Sequence, residues 1–201
     1  MSAYETFPWP EQLPTLHSTG LILRRLESSD IPALCEIFGD PEVMRYWSSP
    51  PLDSAEAAGD LLDRIHRGFS DRQLFQWGIS ESNGGTVIGT CTLLHFEPVH
   101  RRCELGFALA RNRWGRGEAS RAVAAVVEFA FSILDLHRIE ADVDPRNSRS
   151  LRLLERLGFH REGLLRERYQ VNGELQDSAI LGLLRSDWRV HALSNPTLQR
   201  V

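Results

Sequence analysis

The spacing of apolar residues changes once, sharply, in the middle of the chain. Cys103, Leu105, Phe107 and Leu109 alternate, as in a strand with one buried face. From Ala119 onward Ala122, Val123, Val126, Ala130, Ile133 and Leu134 fall at helical spacing and line one face. Between the two, residues 113–119 read Arg-Trp-Gly-Arg-Gly-Glu-Ala. A strand that becomes a helix over so short a loop constrains the local fold severely. Gly115 and Gly117 supply the bend, and lacking a Cβ they let another molecule approach the backbone closely. The first amides of the following helix have no intrahelical acceptor and lie at the positive end of its dipole. Such a terminus is a ready site for a phosphate group. Arg111, Arg113 and Arg116 add positive charge beside it. The plain alternative is a glycine-rich turn with solvated arginines. A nucleoside triphosphate loop is excluded, because no Lys-Ser/Thr pair follows Gly117, and Ala119-Ser120 gives no third glycine for a dinucleotide fingerprint.

The flanking segments set the context. Pro8, Pro10 and Pro14 mark residues 1–18 as an extended arm, and a domain is expected over 19–188 with a tail at 189–201. Gly20–Leu26 reads as a strand. Ser29 or Asp30 caps a helix with Ile31, Leu34, Cys35 and Phe38 on one face, and Asp53–Asp71 reads as a second helix. Phe75, Trp77 and Ile79 alternate, Asn83-Gly84-Gly85 turns, and Val87–Leu94 returns. Ile139, Ala141 and Val143 form a strand, Asn147 or Ser148 caps a short helix ending at Gly158, and Asn172-Gly173 closes a hairpin. The order β-α-α-β-β-β-α-β-α-β-β predicts an α+β fold: one mixed, mostly antiparallel sheet of about seven strands flanked by helices.

At 201 residues the chain fits one domain. A net charge of −4 argues against a nucleic-acid binder. No apolar run is long enough to span a bilayer, and residues 1–19 do not read as a secretory signal. Cys35, Cys91 and Cys103 form no metal or CxxC spacing; they read as reduced packing thiols of a cytoplasmic protein, and no metal site is expected.

Four runs taken in order carry a resemblance: Cys103-Glu-Leu-Gly-Phe107, Trp114-Gly-Arg-Gly-Glu-Ala119, Asn147-Ser-Arg-Ser150 and Leu153-Leu-Glu-Arg-Leu-Gly-Phe159. Together they resemble the GCN5-related N-acetyltransferases (GNAT), and within them the branch of ribosomal-protein alanine N-terminal acetyltransferases. The resemblance covers roughly residues 19–188. It implies acetyl-coenzyme A as co-substrate, held at its pyrophosphate by Gly115, Arg116, Gly117, Ala119 and Ser120, with Arg111 nearby. The family pattern opens on Gln or Arg where this chain has Trp114. The resemblance further implies an oxyanion-binding amide between Phe107 and Leu109, and a contact of Asn147 with the pantetheine arm. Many relatives carry a tyrosine at the position of Leu154; in the N-terminal branch the serine of Asn-x-x-Ser lies near the sulfur, which points to Ser150.

Glu104 is the candidate base. It alternates away from Cys103, Leu105 and Phe107, shares a face with the small Gly106 and Ala108, and by resemblance its strand lies beside the acetyl group; the alternative is a surface carboxylate paired with Arg101 or Arg102. Deprotonating an α-amine at neutral pH costs about 1 kcal/mol, against about 4–5 for a lysine amine. One modest carboxylate therefore suits a protein N-terminus. A small amine such as a polyamine, amino sugar or amino acid is the second acceptor class, and a non-catalytic acyl-coenzyme A binding module the competing function. A homodimer is expected by analogy alone. Glu140, Asp142 and Asp144 either make an acidic acceptor mouth or line a solvated strand edge.

Overall fold

The structure is a computed structural model that describes residues 7–188. The chain begins with β1 (Leu16–Ser18) and β2 (Leu21–Arg24), then α1 (Ile31–Gly39), α2 (Pro41–Met44) and α3 (Ala55–Ser70). There follow β3 (Leu74–Ser80), β4 (Gly89–Glu97), β5 (Arg102–Leu109), α4 (Glu118–Ser132), β6 (Arg138–Val143), α5 (Ser148–Arg156), β7 (His160–Val171) and β8 (Glu174–Leu184). The strands form one eight-stranded sheet in the order β1-β2-β3-β4-β5-β6-β8-β7. β5 and β6 are parallel, and the other neighbours are antiparallel.

Alternation sorts the side chains into two cores. Leu23, Phe75, Trp77, Cys91, Leu93, Cys103, Leu105, Ile139, Ala141 and Leu181 meet α4 and α5 on one face. Leu26, Val87 and Ala108 meet α1 and α3 on the other. The local signals act through the expected chemistry. The Ser54 hydroxyl accepts from the Ala57 amide at the start of α3, and the Asn147 side chain accepts from the Ser150 amide at the start of α5. Gly158 lies at φ +90°, and Asn172 and Gly173 at +51° and +84° in the β7–β8 turn. Asp30 does precede α1, but its carboxylate accepts from the Glu27 amide and from Arg24 rather than capping the helix.

One expectation needs correction. The arm is not wholly irregular: past Pro14 its residues form β1, the eighth strand, and Trp77 Nε1 donates to the Pro14 carbonyl at 2.7 Å. Phe7 and Trp9 join a cluster with Phe69, Phe75 and Phe96, which gives the proline-rich segment an apolar seat. Trp188, the last residue of the expected domain, is buried and donates to Glu128 at 2.8 Å. Residues 1–6 and the expected tail 189–201 lie outside the described residues.

Candidate active site

The parallel pairing of β5 with β6 is short. It runs from Arg102↔Arg138 to Glu104↔Glu140 and stops. β5 continues to Leu109 with β4 on one side, and β6 continues to Val143 with β8 on its far side. The sheet therefore splits at its middle into a cleft whose floor is Glu104 and Glu140. Gly106, Phe107, Ala108 and Leu109 line one wall, and the loop before α4 follows directly from that wall.

The loop has the backbone that its glycines allow. Gly115 lies at φ +80° and Gly117 at φ +73°, left-handed values that L side chains adopt only under strain. Gly117 is the N-cap of α4, and the first helical bond runs from the Arg121 amide to the Gly117 carbonyl at 3.1 Å. The amides of Glu118, Ala119 and Ser120 precede it, within the first turn that lacks intrahelical acceptors. A Cβ on Gly115 would meet nothing within 4 Å, so this side of the loop is open. Left-handed glycines, leading amides and an open face fit a pyrophosphate.

The arginines divide. Arg111 and Arg116 are exposed, the latter with Nη2 on the Asn112 carbonyl at 3.0 Å. Arg113 is occupied otherwise: it donates to buried Glu118 at 2.5 Å and to Glu81 at 2.6 Å, so it braces the loop rather than standing free for a phosphate. Trp114 is a wedge. Its ring packs against both cores, and Nε1 donates to the Leu109 carbonyl at 2.8 Å.

At the floor, Glu104 faces away from the core that holds Cys103 and Leu105, as alternation requires. Neither Arg101 nor Arg102 takes it. Arg101 binds Asp135, and Arg102 binds Glu97 at 2.5 Å and Glu140 at 2.6 Å. Arg138 also binds Glu140, at 2.7 Å, and reaches Glu162. The partner of Glu104 is His95, with Nδ1 3.0 Å from Oε2. Sequence reading missed this histidine, which pairs across a strand irregularity that alternation does not encode.

The other acidic residues by the cleft are also satisfied. Asp142 accepts from Tyr169 at 2.8 Å, from Ser178 and from Arg168 at 3.2 Å. Burial alone would raise the Asp144 carboxyl; Arg146, through its guanidinium and its amide, outweighs that and holds it below the usual range. Ser150 is half-buried in the first turn of α5. The Asn147 oxygen is spent on the cap, which leaves its two N–H donors. Beyond, the α2 region and the β7–β8 turn enclose a hollow of about 560 Å³ whose lining includes Arg45, Tyr46, Trp47, Arg146 and Glu174. Arg45 and Arg146 both lie over the Tyr46 ring, at 5.5 and 5.9 Å. Trp47 packs edge-on against Phe38 as well as lining this hollow.

Comparison with known proteins agrees with this architecture. Residues 20–160 match the acetyltransferase (GNAT) domain model. The uncharacterized N-acetyltransferase p20 of Bacillus licheniformis is 36% identical over 88% of this chain and 99% of its own. YdaF of Bacillus subtilis, provisionally named a ribosomal N-acetyltransferase, is 26% identical over 84% of this chain and 93% of its own. Among solved structures, the spermidine N-acetyltransferase of Vibrio cholerae with CoA and spermine superposes with a TM-score of 0.75, at 26% identity over 85% of this chain and 99% of that one. The fold, the split sheet and the glycine loop together with these matches identify an acetyl-coenzyme A-dependent N-acetyltransferase: the chain belongs to the GNAT acetyltransferase family.

Proposed function

We propose that this acetyltransferase modifies the α-amino group at the N-terminus of a protein or peptide. The observation that carries the reading is the neutralisation of the acidic residues around the cleft. Glu140, Asp142 and Asp144 each bind arginine, and the hollow beyond presents Arg45 and Arg146 against Glu174. Among the described residues a polycation finds no cluster of free carboxylates there, whereas a singly charged amine on a polypeptide needs only one. Glu104, matched with an imidazole instead of an arginine, is that carboxylate.

In this reading the amides of Gly115 to Ser120 hold the pyrophosphate, with Arg111 and Arg116 at the rim and Trp114 keeping the loop in place. Main-chain groups of Phe107 and Leu109 and the Asn147 amide hold the arm that carries the thioester. Acetyl-coenzyme A supplies the activated acyl group. Glu104 takes the first proton from the ammonium, directly or through water, and the neutral amine attacks the carbonyl. An amide on β5 donates to the developing oxyanion. The second amine proton goes to the departing sulfur by way of the Ser150 hydroxyl. Two protons leave the amine, one is kept by the thiol and one reaches solvent.

The YdaF name agrees with this acceptor. The spermidine acetyltransferases favour a polyamine instead, and among the described residues that line the hollow Glu174 is the one carboxylate that supports them. Thiol release with acetyl-coenzyme A decides between them. Peptides beginning with Ala or Ser are expected to be turned over at least tenfold more efficiently than spermidine; the reverse order would transfer the enzyme to the polyamine class. Cofactor binding without thiol release from any amine would sink both.

A further inference from the structure

We infer that His95 is the positioning residue of this active site, aimed at Glu104 by a β-bulge. The inference rests on the reading of Glu104 as the base. Along β4, Cys91 and Leu93 point into the core against α4, and strict alternation would send His95 after them. It does not go there. Leu94 pairs with Glu104 and Glu97 with Arg102, so His95 and Phe96 together oppose the single residue Cys103. That count defines a bulge, a device that re-aims a side chain. His95 takes φ +51°, a left-handed conformation that a non-glycine residue adopts at a cost. The result of the extra residue is one contact: Nδ1 lies 3.0 Å from Glu104 Oε2, on the face opposite the core.

The chemistry of the contact follows from the donor inventory. An ionised carboxylate only accepts, so the imidazole meets it through Nδ1 as a donor or a cation, at ion-pair distance from Oε2. The contact engages Oε2 and leaves Oε1 for the amine. Nothing else at the floor can do this, since Arg102 and Arg138 are committed to Glu140. An arginine in place of His95 would carry a permanent charge and hold the carboxylate by a two-pronged bond; an imidazole meets it through a single ring nitrogen. His95 itself is 68% exposed in its side chain, so its replacement removes little packing.

The test is a double-mutant cycle on kcat in the thiol-release assay with an Ala-starting peptide. His95→Leu is expected to lower kcat about tenfold, the worth of one close contact to a charged group, with KM for acetyl-coenzyme A unchanged. His95→Gln, which keeps an N–H donor, is expected to recover most of the rate. In a Glu104→Gln background His95→Leu is expected to change nothing further. Wild-type kcat in His95→Leu, equal losses in the Leu and Gln variants, or effects of the two sites that simply multiply would each overturn the positioning role while leaving Glu104 as base. Wild-type kcat in Glu104→Gln alone would remove the base assignment and this inference with it.

Discussion

The guanidinium carbon of Arg149 lies 4.8 Å from the centre of the Trp114 ring. One residue belongs to the first turn of α5, the other to the loop before α4, so the contact ties together two helix starts that flank the cofactor cleft. Trp114 also bonds the last residue of β5 and reaches both cores. This accounts for its place where the family pattern has a polar residue: in the proposed reading main-chain amides serve the phosphates, and the side chain anchors the loop that carries them. Trp114→Ala is expected to lower stability by about 2–3 kcal/mol, less than a fully buried ring would cost. It should also raise KM for acetyl-coenzyme A several-fold. Arg149→Ala should cost only about 0.5–1 kcal/mol, the stacking term. Thermal melts and initial rates check both; an unaltered KM in Trp114→Ala would detach the wedge from cofactor binding.

Gly117 and Gly20 share nearly the same backbone, φ +73° and +71°. Valine at either position meets left-handed strain of about 1–2 kcal/mol. At Gly117 it also places branched atoms where, in the proposed reading, a phosphate approaches. The pair separates strain from sterics: both variants should melt earlier by similar amounts, and Gly117→Val alone should weaken acetyl-coenzyme A in calorimetry, by at least tenfold. Equal affinities in the two variants would count against the loop.

Acid stability should report Asp30. Burial on its own would raise this carboxyl; the bidentate Arg24 guanidinium, 2.8 Å from each oxygen, and the Glu27 amide outweigh it and hold it below its usual range. The folded state therefore binds the proton less readily than the unfolded chain, whose carboxyl titrates near ~3.9. The contribution is complete above that value and is lost as pH falls through the depressed one. Asp30→Asn should be about 3 kcal/mol less stable at pH 7, because it strands a half-buried arginine. The gap to wild type should narrow in denaturant titrations below about pH 4; a gap constant with pH would contradict the ion pair.

Thiol chemistry should be confined to one site. Burial pushes the Cys91 thiol up to about 12, and Cys103 is likewise raised by burial with Glu104 and Glu140 adding to it. Cys35 is partly exposed on α1. Under native conditions a disulfide reagent should modify Cys35 alone and the other two only on unfolding. Rapid modification of all three would show that the sheet opens far more readily than its packing implies.

Much of this was legible in the sequence because local chemistry and tertiary packing agree. Alternation in residues 103–109, the glycine loop and the Asn147 cap all read through to the fold. Short-range signals failed where long-range packing decided. Pro8, Pro10 and Pro14 forbid regular structure locally, yet an aromatic cluster around Phe75 holds the arm against the sheet. Arg113 looks like a phosphate ligand until buried Glu118 takes it. His95 was invisible, since a bulge is an exception to the very period used to find strands.

The short pairing of β5 with β6 has a mechanical consequence. Six residues join the two parts of the sheet by ladder bonds, and the cleft above them is unbridged by backbone. Its width is thus governed by how α4 and α5 sit against the core they share, with Phe129, Leu154 and Phe159 among the contacts. A methyl group gained or lost in that layer alters the spacing of the jaws without touching a single catalytic atom. Changes in acyl-chain preference in this enzyme are accordingly to be sought under the helices as well as along the cleft.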